Sequence, residues 1–111
     1  MVTPSAGSVV LVSFPFSDLS ASKLRPAVVL ASAQQDDWIL CQVTSNPYSD
    51  LDAVELKSGD FEAGSLDRVS YARPGKLFTA NSALMHAEVG RLSPSAFSKV
   101  RAAVLGVLGG K

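Results

Sequence analysis

The chain has 111 residues, ten Lys/Arg against ten Asp/Glu, and 47% hydrophobic residues. That length fits a single domain, 1–111, with one core. The lone cysteine, Cys41, excludes an intramolecular disulfide, and no apolar run approaches the roughly 18 residues of a membrane span.

Short segments punctuated by glycine and proline predict a mainly β chain. "SVVLVSF", 8–14, is rich in β-branched residues and reads as the first strand. A polar connection, "PFSDLSASKL", leads to "PAVVLAS", 26–32, the second strand, where a proline at the first position is tolerable. "AQQDD" is a turn, and "WILCQVTS", 38–45, is a third strand apolar enough to be central. Asn46-Pro47 signals a turn in the polar loop "NPYSDLD". "AVEL", 53–56, alternates as an edge strand does. "SGDFEAGSL" reads as a loop into a strand at 66–72, followed by a Pro-Gly turn in "RPGKLFTAN" with a short strand around 76–79. "AEVGRLS" is the last strand. Ser93 then caps a helix, Pro94 suits its first turn, and Phe97, Val100, Val104, Leu105 and Leu108 recur along one face. Gly109 and Gly110 end it. The expected architecture is a small β-barrel closed by a C-terminal helix.

Charged residues make up 18% of the chain, below the usual level of about 25%. Few charges on a small body leave apolar surface to cover, which predicts a homodimer. Residues 1–67 hold three Lys/Arg and nine Asp/Glu, whereas 68–111 hold seven Lys/Arg and only Glu88. Such an uneven spread can make a basic face on a neutral protein, unless folding interleaves the halves. The N-terminus lacks the basic and apolar regions of a signal peptide, so the expected location is cytoplasmic. Cys41 lies in an apolar run and is expected to be buried and inert.

One histidine, one cysteine and no spaced acidic cluster argue against a metal site, and no cofactor is expected. His86 is the only candidate base for a serine triad, and a surface role suits it better. No glycine-rich phosphate loop precedes a helix. What remains is polar residues at strand ends. If the second and third strands are antiparallel neighbours, Arg25 and Thr44 meet at one rim, a guanidinium beside a hydroxyl. From spacing alone, an ordinary loop arginine and strand-end threonine explain the pattern better.

"GSVVLVSFPFSDLSASKLRPAVVLAS", "VTSN" and "SYARPGKLFT" together resemble the MazF/PemK family of toxin endoribonucleases over nearly the whole chain. The most specific piece is "RPAVVL". The resemblance implies an SH3-like (CcdB/MazF-type) small barrel with a C-terminal helix. It implies a homodimer that cuts single-stranded RNA without a metal and binds a cognate antitoxin protein. The family's catalytic arginine matches Arg25 and its catalytic threonine Thr44. Its groove-lining segment matches Asp67 to Lys76, where Arg68, Ser70, Arg73 and Lys76 are the RNA-binding candidates. Phe16, Ser17, Asp18 and Lys23 in the first loop, with Ser45 and Asn46 after Thr44, complete the expected RNA-binding set. Asp18 either helps accept a proton or orients Arg25, or it is a surface aspartate with no such role. Phe16, Tyr48 and Tyr71 are candidate ring faces for bases, with core packing equally open for Tyr71. Some relatives carry a glutamine soon after the threonine, where this chain has Ser45-Asn46-Pro47. The same barrel in CcdB-type toxins instead inhibits DNA gyrase, through a terminal tryptophan; this chain ends in "LGVLGGK".

Overall fold

The computed structural model of the chain describes residues 2–15 and 22–110. Among the described residues seven strands are present: β1 (Ser8–Pro15), β2 (Ser22–Ser32), β3 (Asp37–Thr44), β4 (Val54–Leu56), β5 (Phe61–Gly64), β6 (Ser70–Asn81) and β7 (Met85–Leu92). They form one antiparallel sheet in the order β4-β6-β3-β2-β1-β7-β5, curled into a half-barrel. Helix α1 (Pro94–Leu108) follows and packs on β6, β4 and β7.

The runs "SVVLV", "AVVLA" and "WILC" are apolar throughout because both faces of the sheet centre are covered. Successive side chains point to opposite faces. Val9, Val28, Cys41 and Val43 join Leu56, Ala72, Ala96 and Val100 in the layer beneath α1. Their neighbours Val10, Ala27, Val29 and Leu40 join Val12, Ala80 and Met85 in a second layer, onto which Trp38 and Phe78 pack half-buried. Ser93 caps α1 as expected, its hydroxyl accepting from the Ala96 N–H at 3.2 Å.

Three expectations are corrected. Phe61–Gly64 is a strand pairing with β7, not a loop. Only Phe61 of its four residues is even half-buried, so no apolar alternation marked it. The second correction concerns "RPGKLFTAN", which continues the strand begun at Ser70. Cys41 pairs with Leu77 but Val43 with Ala72, so Arg73, Pro74, Gly75 and Lys76 bulge opposite Gln42. Pro74 is fully buried, so packing overrides its turn preference. Finally, the apolar stripe of α1 outruns the sheet: Val100 and Val104 are buried, whereas Leu105 and Leu108 are 55% and 67% exposed.

Cys41 is fully buried. Burial pushes its thiol from 9.0 up to about 12; a backbone hydrogen bond at Arg73 opposes the rise and the Asp50 charge adds to it. The folded chain therefore keeps this proton where the unfolded chain has lost it. Its contribution to stability is complete below about pH 9 and declines as pH rises toward 12. Urea melts at pH 8 and pH 10.5 should show this decline, flattened in Cys41→Ala. An equally steep decline in the variant would assign it to other groups.

Candidate phosphate-binding cleft

The β2–β3 ladder begins at Ala27↔Gln42 and is antiparallel. Carried two residues further, that register sets Arg25 opposite Thr44. Pro26 explains why the ladder stops there: it has no N–H to offer β3, and it pairs instead with Leu11 of β1. The two strands separate beyond Ala27, and the space between them is a cleft of about 210 Å³.

Both residues expected to meet at this rim line the cleft. Arg25, half-buried with its Nε shielded from solvent, comes from β2. Thr44 and the exposed Ser45 come from the end of β3. Leu11, Pro26 and Val43 supply apolar lining, and Leu66, Asp67, Arg68 and Ser70 close the far wall. Among the described residues the charges on the walls are Arg25 and Arg68 against Asp67, a net positive balance.

Local hydrogen bonds fix the polar groups. The Asn46 N–H donates to Thr44 Oγ1 at 3.2 Å, and the Tyr48 N–H donates to Asn46 Oδ1 at 3.0 Å. Because Thr44 Oγ1 accepts there, its own O–H is aimed elsewhere and can donate. Ser70 is 5% exposed, and its hydroxyl donates to the Arg68 carbonyl at 3.1 Å. Ser70 thus shapes the segment that presents Arg68. Gly64 turns the chain into this wall with φ +60°, where any Cβ would collide with the Val89 carbonyl oxygen.

Arg73, Lys76 and Asn46, also expected at the site, do not line the cleft. Arg73 is spent on Asp50, Nε to Oδ2 at 3.0 Å, with both side chains largely buried. Its guanidinium also lies over the Tyr48 ring, 5.6 Å from the centroid. Lys76 is exposed on the bulge and Asn46 is exposed in the loop; neither lines the cleft. Lys23 lies on β2 opposite Phe14. Phe16, Ser17 and Asp18 lie outside the described residues. Tyr71 is half-buried on β6, and His86 is exposed. Sequence reasoning missed Leu66 in the cleft wall and the Asp50–Arg73 pair. Residues 23 positions apart in a loop and a strand carry no local signal of contact. Among the described residues no group of His, Cys, Asp and Glu can hold a metal ion, and no helix is long and apolar enough to cross a membrane.

The fold is shared with solved toxins. It superposes on a MazE–MazF crystal structure from Deinococcus radiodurans with a TM-score of 0.77 at 19% identity, covering 100% of both chains. An endoribonuclease from Mycobacterial species gives 0.74 at 15% identity, covering 98% of this chain and 94% of that one. A Mycobacterial endoribonuclease in complex with its cognate antitoxin gives 0.74 at 15% identity, covering 98% and 96%. No curated protein sequence matches the chain. The model of the PemK-like, MazF-like toxins of type II toxin-antitoxin systems matches residues 5–108. Nearly the whole chain is thereby accounted for, and it belongs to that toxin family.

Proposed function

We propose that the chain is an endoribonuclease toxin that cuts single-stranded RNA at the cleft between β2 and β3, without a metal. One observation carries the reading: Arg25, within β2, and Thr44, at the end of the adjacent β3, line the same cleft as Arg68. A guanidinium offers a planar fork to two phosphate oxygens, and a hydroxyl adds a further donor.

The chemistry needs no cofactor. The ribose 2′-oxygen attacks the adjacent phosphorus and loses its proton. The bond from phosphorus to the 5′-oxygen breaks, and that oxygen takes up a proton. The products are a 2′,3′-cyclic phosphate and a 5′-hydroxyl. Arg25 stabilises the extra charge on the phosphoryl oxygens, and Thr44 helps hold the phosphate in line. Charge stabilisation is the main role of Arg25, and the group that takes the proton of the 2′-oxygen is left unassigned. Cleavage of single-stranded RNA by purified protein in excess EDTA is the expected result. Growth arrest with intact RNA would refute it and favour a protein target.

A cognate antitoxin is the expected inhibitor, since relatives of this fold are solved in such complexes. An acidic segment laid across the cleft would pair with Arg25 and Arg68 and exclude RNA. The active form is a symmetric homodimer. Leu105 and Leu108 overhang an apolar groove of Leu30, Ala31, Ile39 and Leu77, and a second copy would bury them. Light scattering should give about twice the 11.6 kDa chain mass. Leu105→Glu with Leu108→Glu should halve it; a monomeric wild type, or an unaffected double variant, would contradict this surface.

A further inference from the structure

Tyr48 is 65% exposed, yet it is not loosely held. Its backbone takes φ +54° and Ser49 takes φ +64°, conformations that a bulky side chain adopts only where its surroundings enforce them. Here the enforcement is visible. Asn46 Oδ1 accepts the Tyr48 N–H at 3.0 Å, and Asp50 N donates to the Pro47 carbonyl at 2.9 Å. Asp50 Oδ1 accepts the Asp52 N–H at 2.9 Å, while Oδ2 accepts from Arg73 Nε. The same Arg73 guanidinium then lies over the tyrosine ring. A largely buried ion pair thus backs one face of an aromatic ring that remains mostly in water.

The residue that bears this ring is also tethered to the cleft. Thr44 Oγ1 accepts from Asn46, and Asn46 accepts from Tyr48, so two linked turns join the cleft hydroxyl to the ring-bearing residue. Four residues of chain span at most about 14 Å. The ring is therefore within reach of the nucleotides that flank a phosphate held at Thr44.

From this we infer that Tyr48 is a stacking shelf for an unpaired nucleobase next to the scissile phosphate, with Arg73 and Asp50 as positioning residues behind it. The inference rests on the ribonuclease reading above. One ring face lies on the guanidinium, and a base takes the other. Single-stranded recognition uses aromatic faces in this way because every base offers a π-face. A cation behind the ring holds it flat against the loop through the ring quadrupole. Arg73 thereby serves RNA indirectly, without touching phosphate.

The test uses the full chain and a single-stranded RNA that it cuts. A copy carrying 2′-deoxyribose at the cut position binds without being cleaved. 2-Aminopurine is placed at successive positions in that copy, and its fluorescence reports stacking. Wild type should quench one position flanking the cut. Tyr48→Phe should keep the quenching; Tyr48→Ala and Tyr48→Leu should abolish it and raise KM roughly 5- to 100-fold with kcat little changed. Quenching and KM unchanged in the Ala and Leu variants, in an enzyme that still cuts RNA, would overturn the shelf and leave the ribonuclease standing. A wild type that cuts no RNA would overturn both.

Discussion

Arg25→Ala is expected to lose at least about 1,000-fold in the rate of RNA cleavage while its melting temperature and far-UV spectrum stay close to wild type. Removing one preorganised donor from a developing oxyanion costs about 10²–10³ in kcat, and a guanidinium contributes two donors and a full charge. Its loss should therefore sit at or above the upper end. Rigidity strengthens the expectation. Pro26 fixes φ immediately after Arg25, and Ala27, Val28 and Val29 are fully buried, so the strand that displays the arginine cannot follow a wandering substrate. Arg25→Lys should recover only part of the rate, because an ammonium cannot span two oxygens. Thr44→Ala should cost less, as it removes a single neutral donor. A fully active Arg25→Ala variant would remove the cleft from the mechanism.

Leu56→Ala is expected to destabilise the fold by about 2–5 kcal/mol. Leu56 is 1% exposed on β4, in the layer shared by Val43, Ala72, Ala96 and Val100, with α1 packed above. Truncation leaves a void beneath the helix that an edge strand paired on one side only fills poorly. For a domain of this size the melting temperature should fall by roughly 8–20 °C. Leu56 also pairs with Ser70, whose hydroxyl orders the Arg68 segment, so cleavage should weaken at temperatures where the fold itself survives. A loss under about 0.5 kcal/mol would mean that β4 and α1 are not packed as described.

Local rules reached a good part of this structure. The Ser93-Pro94 cap, the central strands and the Arg25–Thr44 juxtaposition follow from capping chemistry, β-branched runs and antiparallel neighbours. What local rules missed was decided at long range. β5 exists because β7 offers it a partner, and its own four residues carry almost no buried surface. β6 stays one strand because Pro74 is buried inside the bulge. Arg68 and Arg73 are indistinguishable in sequence, five residues apart in a basic segment. Folding turns one toward the cleft and locks the other onto Asp50. The exposed leucines at the end of α1 read as core only because the sheet's extent is not written in the helix.

The central claim is that the rim formed by Arg25 and Thr44 holds an RNA phosphate while the neighbouring 2′-oxygen attacks it. End-group analysis of RNA cut by the purified protein in excess EDTA tests it most directly. The expected ends are a 5′-hydroxyl and a 2′,3′-cyclic phosphate, with no cut where the attacking ribose is replaced by 2′-deoxyribose. Ends bearing a 5′-phosphate, or cleavage that disappears on chelation, would contradict it.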